Sequence, residues 1–214
     1  MRVHELDHIG PVQAGGRRAD NGAPAQRSGS GTMCRVRSGA EHWNTTELER
    51  RAGRAHVRSD GPAHTTLTRG IDVDAPSDLV FRWLCQLRVA PYSYDWINNF
   101  GRRSPRRLSD GADQLAVGQR FLALELAHFE PGREITTAAS PLELRLFGVL
   151  GFTYRVIRRD TGRSRILVLI DMEVPTSRWR TARHVALSWV DLLMVRKQLR
   201  TIRELAEQQA ANEL

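Results

Sequence analysis

The side chains best suited to chemistry lie in one stretch, PYSYDWINNFGRRSP at 91–105, where Tyr92, Tyr94, Trp96 and Phe100 stand among Asp95, Asn98 and Asn99. A phenol beside a carboxylate can give and take protons, and amphipathic rings interleaved with amides can hold and orient an apolar molecule. Six of the fourteen aromatic residues of the chain fall between Phe81 and Phe100, so this segment either walls a ligand or closes the domain's own core with its rings. Prolines at both ends and Gly101 make it a long ordered loop. Its backbone has no period from which to assign faces.

Other titratable groups fit chemistry less well. Glu125 alternates with Leu124 and Leu126, and Asp171 and Glu173 with Ile170 and Met172, which places these carboxylates on outward strand faces. Arg155 flanks Tyr154 and Val156 and is assigned to the outer face for the same reason. His128 and His184 have no cysteine or acid at ligand spacing, so no metal site is expected. Gly148 to Gly151 lacks the helix and lysine of a phosphate loop, and no Gly-x-Ser-x-Gly elbow occurs. No residue is assigned a catalytic role.

The elements that must position the loop follow from hydrophobic period. Apolar and polar residues alternate through 66–73, which reads as a strand, and Asp74-Ala75-Pro76-Ser77-Asp78 then supplies a helix start. Val80, Trp83, Leu84 and Leu87 give that helix a core-facing stripe. Strands are expected at 121–129, 134–137, 142–147, 152–158 and 165–174, joined by short Gly- and Pro-containing links that suit antiparallel neighbours. A long helix is expected over 181–207, with Val185, Trp189, Leu192, Val195, Leu199, Ile202 and Ala206 along its buried face. Its Arg196, Lys197, Arg200 and Arg203, together with Trp179 and Trp189, also fit a membrane surface. The fold class is α+β, a strongly curved antiparallel sheet wrapped around the C-terminal helix.

Composition sets the limits. Residues 1–64 hold only ten Val, Ile, Leu, Met, Phe or Trp and are broken by Gly- and Ser-rich runs, so they are expected to be a disordered or weakly structured extension before a domain at 65–210. Asn44-Thr45-Thr46-Glu47 offers a single short or frayed helix start there, and Met33 an alternative start to the chain. The net charge of +8 is carried by arginines in scattered pairs, with Lys197 the only lysine, which argues against a nucleic-acid partner. Cys34 and Cys85 are not expected to form a disulfide. Without a signal-like start or a spanning segment, the cytoplasm is the default location.

The stretches IDVDAPSDLVFRWLCQL, YSYDWINNFGRRSP, DQLAVGQRF, FEPGREI and DLLMVRKQLRTIRELAE resemble the START-like or SRPBCC superfamily of helix-grip proteins, over roughly 65–210. Within it they are most similar to the actinobacterial polyketide cyclase/dehydrase or lipid-transport-like branch. The resemblance implies a cavity between sheet and helix for a hydrophobic, lipid- or polyketide-like small molecule, with no cofactor and no metal. Carried over to this chain, it implies that Tyr92, Tyr94, Asp95, Trp96 and Asn99 contribute to the ligand site. It implies no defined reaction; a cyclase or dehydrase using the same cavity is the alternative.

Overall fold

A computed structural model describes residues 40–55, 63–93 and 103–213. Their elements run β1 (His42–Trp43), α1 (Glu47–Ala55), β2 (His64–Val73), α2 (Ser77–Cys85), β3 (Arg120–Phe121), β4 (Leu124–Glu130), β5 (Glu134–Ala138), α3 (Pro141–Phe147), β6 (Val149–Arg158), β7 (Ser164–Glu173) and α4 (Arg178–Asn212). The seven strands form one curved, unclosed sheet in the order β1-β2-β7-β6-β5-β4-β3. Every pair is antiparallel except β1 with β2. This is the helix-grip arrangement expected from the sequence. Among the described residues no helix is long and apolar enough to cross a membrane.

Strand alternation sorts the two faces of the sheet. Leu67, Ile71 and Val73 of β2 and Ile166, Val168, Ile170 and Met172 of β7 point inward, where α2 and the second half of α4 cover them. The α2 stripe behaves as its spacing predicts: Val80, Trp83, Leu84 and Leu87 are all buried. On α4 the buried face runs through Ser188, Leu192, Val195, Leu199, Ile202 and Ala206.

Three elements differ from the sequence expectation. Trp189 lies off the core and is 48 % exposed. Its place on the buried face is taken by Ser188, whose hydroxyl donates to the His184 carbonyl one turn back and so enters the core already satisfied. The segment expected as a strand at 142–147 is the helix α3. Ser140 Oγ accepts from the Glu143 amide while the Glu143 carboxylate accepts from the Ser140 amide, Pro141 occupies the first turn, and Gly148 ends the helix at φ 67°. Local capping outweighs the alternation of Leu142, Leu144 and Leu146.

Residues 40–55 also pack on the sheet, upstream of the expected domain start at 65. Thr46 and Glu49 form a capping box that starts α1, and Gly53 sets the helix backbone against the outer face, where a Cβ would meet Thr68 at 3.0 Å and Leu169 at 3.2 Å. Glu49 accepts two hydrogen bonds from Arg165, whose guanidinium also reaches Asp72 and the Asn44 carbonyl. A short apolar-poor segment is thus held by charge-assisted bonds more than by area.

Candidate functional site

Two polar pairs lie where the inner face of the sheet looks onto α4. Arg69 occupies an inward position of β2, between Leu67 and Ile71, and is fully buried. Its Nη2 lies 3.3 Å from Asp191 Oδ2 on α4, and its Nη1 donates to the Glu41 carbonyl at 2.7 Å. Tyr154, inward on β6, donates from its hydroxyl to Gln198 Oε1 at 3.0 Å, and Gln198 Nε2 donates to the Pro91 carbonyl at 2.7 Å. Asp191 and Gln198 are seven residues apart, two turns along one helix face. The Pro91 contact ties this cluster to the start of the aromatic loop.

The cluster is electrostatically costly and chemically poised. Burial pushes the Asp191 carboxyl up to about 6, with Arg69 opposing the shift. Burial also lowers the Arg69 pKa, opposed by Asp191, and raises that of the Tyr154 hydroxyl, with Asp191 adding to the rise and Gln198 opposing it. Arg69 Nε is buried without a hydrogen-bond partner among the described residues. A buried guanidinium N–H left open is costly and is satisfied by any acceptor oxygen that reaches it.

Of the sequence-predicted site residues, Tyr92 lies at the rim of this region. It is buried, has φ 52°, donates from its hydroxyl to the Pro105 carbonyl at 2.7 Å, and sets its ring edge-on to Trp83 with centroids 6.1 Å apart. A non-glycine residue in the left-handed region is held there by its surroundings; here the phenol pins one end of the loop to the other. Tyr94, Asp95, Trp96 and Asn99 lie outside the described residues. Arg155 faces outward, as alternation predicts, and pairs with Glu134. Among the described residues no group of His, Cys, Asp and Glu is arranged to hold a metal ion.

Arg69, Tyr154, Asp191 and Gln198 were not singled out from the sequence, although two left a signal. Arg69 is a charge at an apolar position of a period-two strand, and Asp191 interrupts an apolar helix stripe. Each alone reads as a solvated defect; only the tertiary fold pairs them.

A separate open cleft of about 420 Å³ lies between α2, residues 106–108 and the end of α4, with Trp83, Leu108 and Leu205 beside Arg82, Arg106 and Arg107. Its Gln208 is about 25 Å along the helix from Asp191, so the two sites are distinct.

No family model and no curated protein matches the chain. Solved structures similar to it include a protein from Thermobifida fusca at 13 % identity, covering 67 % of this chain and 93 % of that one with a TM-score of 0.46. Others are the ZhuI aromatase/cyclase from a Streptomyces species, at 14 % identity, 69 % and 96 % coverage and a TM-score of 0.40, and the Aha1 dimer from Colwellia psychrerythraea, at 12 % identity, 67 % and 96 % coverage and 0.38. Likeness at these levels carries no statement of what this chain binds.

Proposed function

We propose that this chain binds a hydrophobic small molecule, lipid- or polyketide-like, between the curved sheet and α4, with the Arg69–Asp191 and Tyr154–Gln198 pairs receiving the ligand's polar end. The observation that carries the reading is the unpartnered, buried Nε of Arg69, set between the apolar side chains Leu67 and Ile71. A carbonyl, hydroxyl or carboxylate oxygen would satisfy that donor, and the surrounding apolar side chains suit a hydrocarbon body. Tyr92 fixes the loop whose Tyr94, Asp95, Trp96 and Asn99 line the opening in this reading.

The test is native mass spectrometry of the protein purified from its own host, with extraction of whatever remains bound. A specific co-purifying apolar molecule, lost or weakened in Arg69→Gln, supports the reading; an apo mass throughout and no binder in a broad ligand screen overturns it. Trp96→Ala should weaken an apolar ligand by about 1 to 3 kcal/mol if the ring is a contact.

A second reading, catalysis of cyclisation or dehydration at the same place, is favoured by Asp191. A carboxyl titrating about 6 beside a guanidinium and a phenol can exchange protons near neutral pH. Turnover of a bound precursor that Asp191→Asn abolishes without loss of binding would select this reading over simple binding.

A further inference from the structure

The first half of α4 carries a second apolar face that no other described element covers. Trp179, Ala182, Ala186, Trp189, Val190 and Leu193 are all exposed, Trp179 by 79 % and Leu193 by 54 %. At 100° per residue they fall within about one 100° sector, roughly opposite the buried Ser188–Leu192–Val195 face. Lys197 and Arg200 continue the same sector toward the C-terminus and are exposed. From Trp179 to Leu193 the stripe is about 21 Å long.

Charge selects the occupant. Residues 178–203 contain Arg178, Arg180, Arg183, Arg196, Lys197, Arg200 and Arg203 but only one acid, Asp191, which is turned inward to Arg69. A second copy of this chain docked through the same stripe would set Arg178, Arg183, Lys197 and Arg200 against themselves, since the stripe holds no acid of its own. Arg180 and Arg203 pair with Glu173 and Glu207 and Arg196 lies over Trp43, but Lys197 and Arg200 in the sector and Arg178 and Arg183 at its borders are answered by an anionic surface. Tryptophans on an apolar stripe with arginines at its borders are the side chains that settle at the boundary of headgroups and acyl chains. α3 ends beside these turns, at Gly148 near the Arg183 guanidinium, and adds exposed Leu142, Arg145 and Leu146.

We infer that the N-terminal half of α4 docks the protein onto an anionic lipid bilayer, the helix lying in the plane of the interface. The inference is independent of the interior site, because the stripe and the Arg69–Asp191 cluster lie on different faces of the helix.

The experiment is flotation of the full chain with vesicles of phosphatidylcholine alone and of phosphatidylcholine with phosphatidylglycerol, at low and high salt, alongside the solution mass. The protein should float with the anionic vesicles, release at high salt, and ignore the neutral ones. Trp179→Ser/Trp189→Ser, at exposed sites that leave the fold intact, should weaken the partition about tenfold or more. Lys197→Glu/Arg200→Glu should weaken it at low salt only, and Asp191→Asn should leave it unchanged. Absence of binding to the anionic vesicles, or equal binding by the double-Trp variant, overturns the inference. So does a dimer that dissociates in the double-Trp variant, which would assign the stripe to a second copy.

Discussion

Arg69 and Asp191 face each other across the interior, one from the central part of β2 and one from α4, with Nη2 and Oδ2 3.3 Å apart and the guanidinium fully buried. The pair crosses the boundary that in this fold separates sheet from helix, so it sets their spacing as well as the polarity of the space between them.

The pair should make stability fall as pH rises. Burial carries Asp191 from its ordinary 3.8 to about 6, so the folded state holds a proton that the unfolded chain releases. The stability from this group is complete below about pH 4 and is lost as pH passes about 6, a loss of about 3 kcal/mol. Asp191→Asn should remove this slope, so urea unfolding of the two proteins diverges between the two pH limits. A carboxyl carbon resonance with its midpoint near pH 4 would refute the shift.

Removing the cation has the opposite sign. Arg69→Met leaves Asp191 desolvated without a counterion and takes from the Glu41 carbonyl one of its two donors, the Thr68 amide remaining, and should cost about 3 to 5 kcal/mol at neutral pH. Adding Asp191→Asn should recover most of that loss. Additive single effects in the double-mutant cycle would mean that the two groups do not communicate.

Much of the sheet and the grip of the helix is readable from period alone, because Leu67, Ile71 and Val73 or Val195, Leu199 and Ile202 bury what their spacing says they should. Period fails where a local or long-range partner decides. Leu142, Leu144 and Leu146 alternate like a strand, yet Ser140, Pro141 and Glu143 cap a helix over them. Ser188 hides in the core behind a bond to its own helix, displacing Trp189 to the surface. Arg69 and Asp191 are separated by most of the domain, and their pairing is a product of the fold that neither neighbourhood in sequence announces. Of the residues that the aromatic loop offers for a ligand, Tyr92 contacts Trp83 and the Pro105 carbonyl, and Tyr94, Asp95, Trp96 and Asn99 lie outside the described residues.

The outer-face clamp predicts that the domain begins before β2. Glu49 is drawn below its ordinary carboxylate range: burial would raise it, but the bonds from Arg165 and Thr46 prevail. Its stabilisation is present above the ordinary value near 4.5 and is lost as pH falls below it. Glu49→Gln should cost about 2 to 3 kcal/mol at neutral pH, since Arg165 keeps Asp72 and the Asn44 carbonyl. A chain beginning at residue 63 should lose more, having uncovered Leu169 and deleted two of the three acceptors of Arg165, Glu49 and the Asn44 carbonyl; equal stability of the two chains in urea would show α1 to be dispensable.

Cys85 reports whether α2 opens. Its thiol is fully buried and pushed up to about 12, by burial first and by Asp113 second, with Arg88 opposing. A thiol so protonated and enclosed reacts only when the helix leaves the sheet. In a Cys34→Ser background, reaction with a disulfide reagent at pH 8 should therefore track global unfolding, accelerating with urea along the same dependence as the loss of helical signal. Labelling that is fast and independent of urea would instead show α2 lifting away locally. Because Trp83 of α2 bonds Gln209 of α4 and meets Tyr92 at the head of the aromatic loop, such a motion would break both contacts.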